Sequence, residues 1–341
     1  MQEAELRNNR RVATWLLICC ALVFVMVVLG GVTRLTGSGL SMVDWRPVTG
    51  ILPPLTDAAW QQSFERYQLS PEFQKVNPQM DVGDYKGIFW LEYLHRLLGR
   101  IIGIVFLFPF LIFLRRGYIK VAELPKYALM FGLGGMQGVL GWYMVKSGLV
   151  DNPHVSQYRL TAHLIAAFFI YAYMFWVALS LLFPTTSDSA HPWHRKTLAL
   201  TTLIAVTVIS GGFVAGLKAG KIYNTFPMMG DHWAPPGMFA LDPWWVNFFD
   251  NMATVQFDHR VLAISTFALI VIFWNRIRKT ELPERIRKGI NALLHTAVLQ
   301  VSLGIATLLY FVPTFLAATH QGVAMLLFTV ALYLCHGLRR V

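Results

Sequence analysis

The sequence predicts an all-α integral membrane protein, on two observations. Hydrophobic residues make up 55% of the 341 residues, charged residues make up only 14%, and the mean hydropathy is +0.50. Several apolar stretches are also long enough to cross a hydrocarbon core of about 30 Å, for which a helix needs about 20 residues. These stretches predict eight transmembrane helices, near residues 14–31, 88–114, 125–146, 158–184, 197–217, 253–274, 288–311 and 313–337.

The basic residues predict how these helices are oriented. Lys and Arg cluster before the first helix, between the second and third, before the fifth, between the sixth and seventh, and at the C-terminus. With eight crossings these segments share one side, so the positive-inside rule predicts that both termini are cytoplasmic. The net charge of +11 is then mainly a topology signal, and scattered basic loops without an aromatic platform argue against nucleic-acid binding. The N-terminal segment carries acidic residues and resembles no cleaved leader, so we expect a bacterial inner-membrane protein.

An internal repeat divides the chain into two tandem four-helix bundles, residues 1–186 and 187–341. The paired motifs are Gly30-Gly31 with Gly211-Gly212, Glu92-x-x-His95-Arg96 with Gln256-x-x-His259-Arg260, Met136-Gln137-Gly138-x-x-Gly141 with Leu299-Gln300-x-x-x-Gly304, and Thr161-Ala162-His163 with Ala318-Thr319-His320. Their order is conserved between the halves at separations of about 160 to 180 residues. Because each half has four crossings, we expect the halves to be related by a pseudo-twofold axis along the membrane normal.

Four histidines lie at the same depth in the even-numbered helices. His95, His163, His259 and His320 each follow the outer end of their helix by about seven or eight residues, a depth of about 10 to 12 Å. An imidazole in hydrocarbon needs a partner, and two imidazoles at matched depth in one bundle can supply both axial ligands of a haem iron. We predict the pairs His95 with His163 and His259 with His320. The alternative for each is a hydrogen-bonded core histidine that packs helices together.

The two halves differ at one polar position. Glu92 lies one helical turn before His95, whereas its repeat partner is the neutral Gln256. A carboxyl group inside a membrane is costly and is a candidate functional group. The alternative is a structural partner for Arg96. The difference predicts a reactive N-terminal half and a supporting C-terminal half.

Basic residues near the outer membrane level are candidates for binding haem propionates through charge-assisted hydrogen bonds. They are Arg34, Arg96, Lys146, Arg159, Lys218 and Arg260. The alternative for each is a side chain that extends to the interface without a ligand. We expect the outer segments 32–87 and 218–252 to cover the two halves.

The long motifs together resemble those of haem A synthases, nearest to the alphaproteobacterial and mitochondrial branch, and they cover nearly the whole chain. They are the run Gly31-Val-Thr-Arg-Leu-Thr-Gly-Ser-Gly-Leu-Ser-Met42 with Trp45, Pro47, Thr49-Gly50 and Pro53-Pro54, the two histidine-arginine motifs, Gln137-Gly138-x-x-Gly141-Trp142, His163, the stretch 212–230 with Tyr223-Asn-Thr-Phe-Pro227, and His320-Gln321. Some branches carry a cysteine pair in the first outer loop. This chain has none there, so no thiol-based role carries over.

The resemblance implies an activity that spacing alone does not give. Haem A synthases oxidise a ring methyl group of haem O to a formyl group for terminal oxidases, through two hydroxylations and loss of water. By this resemblance His95 and His163 hold the substrate haem, Glu92 assists at the reacting methyl group, and His259 and His320 hold haem B. We expect Arg260 and Lys218 beside that haem B. The resemblance also implies delivery of haem O by haem O synthase and an electron donor that the sequence does not identify.

Two other classes of protein remain as alternatives. A bis-histidine electron-transfer cytochrome would bind two haems, form no product and have little need for Glu92. A transporter or assembly protein with polar residues along a path would be colourless when purified. The sequence leaves the oligomeric state open, with a homo-oligomer among the alternatives.

Overall fold

A computed structural model describes residues 2–44, 50–149, 153–184 and 190–339 of the chain. Over these residues, eight helices are long and apolar enough to cross a membrane, and no strand is formed. The expected all-α multi-pass architecture is therefore confirmed. The expected boundary between residues 186 and 187, and the motif residues Trp45, Pro47 and Thr49, lie outside the described residues.

Eleven α-helices follow one another along the described chain. They are α1 (Gln2–Leu35), α2 (Asp57–Gln68), α3 (Pro71–Lys75), α4 (Val82–Arg115), α5 (Leu124–Gly148), α6 (Gln157–Leu182), α7 (His194–Leu217), α8 (Asn247–Asp250), α9 (Met252–Ile277), α10 (Glu284–Leu309) and α11 (Thr314–Gly337). The short helices α2, α3 and α8 lie in the connections that the sequence predicts to be outside. We call that end of the molecule the loop side, and the end that holds both termini the termini side.

Local sequence signals fix where several helices begin. The Asp81 side chain accepts a hydrogen bond of 2.8 Å from the backbone N–H of Asp84 at the start of α4. The Asn251 side chain accepts from the N–H of Ala253 at 2.9 Å and caps α9 in the same way. Such side chains satisfy donors that have no partner within the first turn. Both His-Arg helices therefore start at a defined residue. His259 follows the start of α9 by 7 residues as expected, whereas His95 follows the start of α4 by 13, because α4 extends further out than its apolar stretch.

The long helices pack as two rings of four. In the first ring α1 contacts α4 and α6, while α5 contacts α4 and α6. In the second ring α7 contacts α9 and α11, while α10 contacts α9 and α11. The rings meet where α1 packs on α11, α6 on α7, and α6 on α11. The histidine-bearing helices α4 and α6 are thus diagonal to each other, as are α9 and α11.

The packed apolar core is concentrated on the termini side. Its buried members include Leu16, Met130, Ile204, Ile290 and Leu334, which lie in the half of each helix nearest the termini. On α5, by contrast, a Cβ atom added at Gly132, Gly134, Gly135 or Gly138 would meet nothing within 4 Å. These glycines are exposed, so the open space beside them lies at the surface of α5.

A second, smaller cluster of aromatic rings covers α4 on the loop side. Its buried members are Trp60, Phe64, Tyr67, Tyr85, Phe89 and Tyr93, so α2 lies against the first turns of α4. The Tyr67 and Tyr85 rings stack with centroids 5.0 Å apart. The corresponding segment 218–252 has only one short α-helix, and its Trp233, Trp244 and Trp245 are exposed. The two outer segments therefore cover their halves in different ways.

Candidate functional site

Each of the four predicted histidines lies against a glycine of a neighbouring helix. A Cβ atom added at Gly30 on α1 would lie 3.0 Å from Cε1 of His95, and one added at Gly211 on α7 would lie 3.1 Å from Cε1 of His259. These distances are shorter than normal carbon contacts, so a larger residue would displace the ring. Gly30 and Gly211 are the repeat partners identified in the sequence.

The other two histidines show the same contact. A Cβ atom added at Gly141 on α5 would lie 3.1 Å from Cε1 of His163, and one added at Gly304 on α10 would lie 2.9 Å from Cε1 of His320. Gly141 therefore makes room for the imidazole of His163.

The conserved glutamines of the repeat also meet the matching histidines. Gln137 donates a hydrogen bond of 2.8 Å to the backbone oxygen of His163. The Gln300 amide nitrogen lies 3.4 Å from Nε2 of His320. The repeated motifs therefore meet in space in the same pairs in which they occur in the sequence.

In three of the four histidine rings one nitrogen atom is enclosed, although the side chain as a whole is only partly buried. The Nδ1 atoms of His95, His163 and His320 are buried and have no hydrogen-bond partner, although all four side chains are only partly buried. Because Nδ1 is enclosed in these three rings, Nε2 is the candidate nitrogen for a metal, and in His320 the Gln300 amide nitrogen lies beside that atom at 3.4 Å.

These features fit a haem between each pair. Two imidazoles on diagonal helices are the ligand set that a six-coordinate haem iron requires. In the described ranges no group of three or more His, Cys, Asp or Glu side chains that could hold a metal ion occurs. A porphyrin brings four nitrogen donors of its own and needs only the two imidazoles.

Ser210 fixes the orientation of His259. Its Oγ atom lies 2.8 Å from Nδ1 of His259 and donates to the carbonyl oxygen of Thr207 at 2.8 Å. Because the hydroxyl has one hydrogen, which Thr207 receives, Oγ accepts the Nδ1–H of His259, and Nε2 keeps its lone pair. The position that matches Ser210 in the first half is Leu29, which has no hydroxyl. His95 has no equivalent support.

Both arginines of the His-Arg motifs hold an outer segment by its carbonyl oxygens. Arg96 donates to Met42 at 3.0 Å and to Asp44 at 3.2 Å. Arg260 donates to Tyr223 at 2.8 Å and to Thr225 at 2.9 Å. Each arginine follows its histidine by one residue, so these contacts hold each outer segment close to a histidine. The outer segments thereby close the loop side of each four-helix ring.

Glu92 is buried in the hydrogen-bonded contact between α4 and the first outer segment. One carboxylate oxygen accepts from the Ser41 hydroxyl at 2.7 Å and from the Met42 N–H at 2.8 Å, and the other accepts from Arg96 at 2.5 Å. The sequence alternative of an Arg96 partner is thus realised in the structure. Gln256 instead donates to the Tyr223 carbonyl oxygen at 3.2 Å, and its own amide oxygen is buried without a partner.

The remaining predicted cations have varied surroundings. Lys218 is exposed and takes a left-handed conformation with φ of 56° at the end of α7. Arg34 donates to the Gly216 carbonyl oxygen at 2.9 Å and so links α1 to α7. Arg159 lies 4.0 Å from the centre of the Tyr143 ring. The Nε atom of Arg260 is buried without a partner, so this side chain keeps one enclosed donor.

Sequence reasoning missed three groups in this region. Ser210 was hidden because its repeat partner is Leu29, so the repeat gives no signal there. Ser41 lies in the quoted run, but only the fold shows that its hydroxyl reaches Glu92. Glu72 is buried in α3, accepts a hydrogen bond of 3.2 Å from the Tyr67 hydroxyl, and has its pKa raised by burial to about 7.

The fold and these contacts define a multi-pass membrane protein with two pairs of histidines on diagonal helices. Residues 13–332 match the family model COX15-CtaA, described as cytochrome oxidase assembly protein. The chain therefore belongs to the COX15-CtaA family, which confirms the resemblance seen in the sequence.

Named relatives agree with the family match. The chain is 54% identical over 339 residues to the heme A synthase of Nitrosospira multiformis, covering 97% of this chain and 94% of the relative. It is 47% identical over 342 residues to heme A synthase COX15 of Arabidopsis thaliana, covering 96% of this chain and 75% of the relative. It is 44% identical over 343 residues to heme A synthase COX15 of Homo sapiens, covering 98% and 84%. The similarity thus spans both halves.

Proposed function

We propose that this chain is a haem A synthase, an oxidoreductase that converts a ring methyl group of haem O into a formyl group. The observation that carries the proposal is the contact of a histidine with a glycine at four repeat-related places. Identity of 44% to 54% with heme A synthases over nearly the whole chain supports it. The product, haem A, serves terminal oxidase assembly, in line with the family description.

In this proposal the two halves bind different haems. Residues 1–186 bind the substrate haem O through His95 and His163, and residues 187–341 bind haem B through His259 and His320. The contact of Ser210 with His259 supports this division, because a ring with a fixed tautomer suits a permanent ligand. Bound haem B supplies one-electron redox chemistry.

The unsupported His95 ring suits a ligand that must be exchanged. If His95 and His163 both bound the substrate iron throughout, oxygen would have no open position there. Nδ1 of His95 has no hydrogen-bond partner, so less holds this ring in place than holds His259. Nδ1 of His163 is likewise without a partner, so we assign the role of the ligand that leaves to one of the two rings of this half, His95 or His163.

Glu92 acts in this proposal through its charge. Three donors already occupy its two oxygens, so it is poorly placed to take a proton directly. A fixed negative charge one turn from His95 instead favours positive charge that develops at the reacting carbon. The same hydrogen bonds hold Ser41 and Met42 across the loop side of the substrate half, which restricts access of water.

The cations Arg260 and Lys218 are proposed to meet the propionates of haem B. The enclosed Nε of Arg260 is a donor without a protein acceptor, and Lys218 is exposed at the end of α7. Charge-assisted hydrogen bonds to propionates would satisfy both.

We further propose a bacterial inner-membrane location with cytoplasmic termini. The basic clusters all belong to the termini side of the helices, as the positive-inside rule requires. The histidines then lie in the outer leaflet. Haem O synthase is the proposed source of substrate, and the electron donor is a separate protein or small molecule.

Mass analysis of extracted porphyrins tests the function. Cells that co-express this chain with a haem O source are expected to contain haem A, and cells without the chain are expected to contain haem O. A well-folded protein with two bound haems and no haem A in the cells would instead identify an electron-transfer cytochrome. A colourless protein would contradict both.

A further inference from the structure

A groove between the two halves lies on the termini side, away from the histidines. One part, of about 360 Å³, is formed by α1 and α6 and is lined by Leu17, Cys20, Phe24, Tyr171 and Phe175. The other part, of about 430 Å³, adds α10 and α11. It is lined by Phe175, Arg285, Lys288, Ala292, Thr329 and Tyr333.

The two parts of the groove are continuous, because they share one lining residue and are joined by a hydrogen bond. Phe175 lines both of them. The Tyr171 hydroxyl, from the first part, lies 2.8 Å from the hydroxyl of Thr329, from the second. The groove therefore runs from the first turns of α10 toward the middle of α1, over residues 17 to 25, which rise about 12 Å along the helix axis.

The open end of the groove is basic. Arg285 and Lys288 lie in its lining, and Arg285 stacks over the Phe183 ring at 4.6 Å. Arg339 stacks over the ring of Trp176, next to Phe175, and its Nε atom is buried without a partner. Lys288 pairs with the exposed Glu284 at 2.7 Å. The two lining cations, Arg285 and Lys288, face one carboxylate, that of Glu284, so the end of the groove keeps an excess of positive charge.

We propose that this groove binds one anionic phospholipid from the leaflet on the termini side. Its phosphate lies beside Arg285 and Lys288, and one acyl chain follows Phe175 toward Leu17. Basic pockets between transmembrane helices recognise anionic head groups in this way. Because α1 and α6 belong to the first half while α10 and α11 belong to the second, the lipid seals the seam between them. This inference is independent of haem binding.

Native mass spectrometry of the purified full-length protein tests the proposal. The protein in detergent is titrated with phosphatidylglycerol or with phosphatidylcholine of the same acyl chains. One phosphatidylglycerol per chain is expected to be retained in preference to phosphatidylcholine. The double variant Arg285→Gln/Lys288→Gln is expected to bind it roughly 20-fold more weakly, since each cation near a head group contributes about fivefold.

Two further variants separate the groove from general surface charge. Arg276→Gln/Arg287→Gln removes the same charge from exposed positions of the same side that do not line the groove, and unchanged retention is expected. Ala292→Phe fills the groove without changing charge, and reduced retention of both lipids is expected. Equal losses in the two double variants would overturn the proposal, as would retention unaffected by Ala292→Phe. An isoprenoid chain of a haem found there in place of phospholipid would also overturn it.

Discussion

The two halves of the molecule present their histidines in the same way but support them differently. In both halves a glycine of the first helix accepts the ring of the second, and a glycine of the third accepts the ring of the fourth. In the C-terminal half a serine hydroxyl then fixes His259, whereas the N-terminal half has Leu29 at that position. The N-terminal half instead has a buried carboxylate, Glu92, beside its first histidine. The comparison shows that the geometry around the histidines is repeated while their polar surroundings differ, and the proposed division into a haem B half and a substrate half rests on that difference.

The largest expected effect is on conversion of haem O, when Glu92 is replaced by the residue found at the matching position of the C-terminal half. In Glu92→Gln the charge is lost while the size is kept, as in the natural Gln256. Conversion of haem O to haem A is expected to fall by about 10²- to 10³-fold, because a fixed charge at the reacting carbon is lost. Extracted haems and the visible spectrum measure this, and the bound haem B is expected to stay. Product formation at the original rate would show that Glu92 only anchors Ser41 and Met42.

The next largest effect is expected from the glycines. Gly211→Val would push the His259 ring away from its position, and Gly30→Val would do the same to His95. Haem B content is expected to fall at least about tenfold only in Gly211→Val, because about 1–3 kcal/mol of overpacking opposes ligation. Gly103→Ala on α4 is the control, since a Cβ atom there meets nothing within 4 Å. Equal loss of haem B in both valine variants would contradict the division between halves.

A smaller effect is expected from the serine. Ser210→Ala removes the acceptor of the His259 Nδ1–H, and haem B affinity is expected to fall about tenfold with a shift in its reduction potential. Leu29→Ser introduces the same hydroxyl beside His95 and is expected to slow release of product. Equilibrium haem titration and redox titration measure both variants. An unchanged potential in Ser210→Ala would remove the proposed reason for His259 to be the permanent ligand.

The smallest effect is expected in the outer segment 32–87, which covers the N-terminal half with the helices α2 and α3. The Glu72 pKa, raised by burial to about 7 from 4.5, means that the folded segment binds a proton more tightly than the unfolded one. Stability is therefore highest below about pH 4.5 and falls as the pH rises to about 7, by roughly 1–3 kcal/mol. After correction for the intrinsic pH dependence of amide exchange, the protection of α2 and α3 is expected to fall over this range, and Glu72→Gln is expected to remove this fall. The same pH change is expected to alter the exchange protection of segment 218–252 only slightly.

Much of the fold could be predicted from the sequence because each apolar stretch has to satisfy its own backbone as a helix in the membrane. The four histidines were identified because their depth and repeat are visible in the chain. The contact between His163 and Gly141 could not be predicted, because it depends on which helix faces lie together. Ser210 and Ser41 act through contacts between distant segments, and no local pattern marks them.

The central claim is that imidazoles on diagonal helices hold iron in both halves. A cryo-electron microscopy map of the purified, haem-loaded protein tests it most directly. The expected map shows a tetrapyrrole between His259 and His320, with iron bonded to Nε2 of each ring, and a second site between His95 and His163. A map in which these four rings pack only against protein side chains, with no tetrapyrrole between them, would contradict the account.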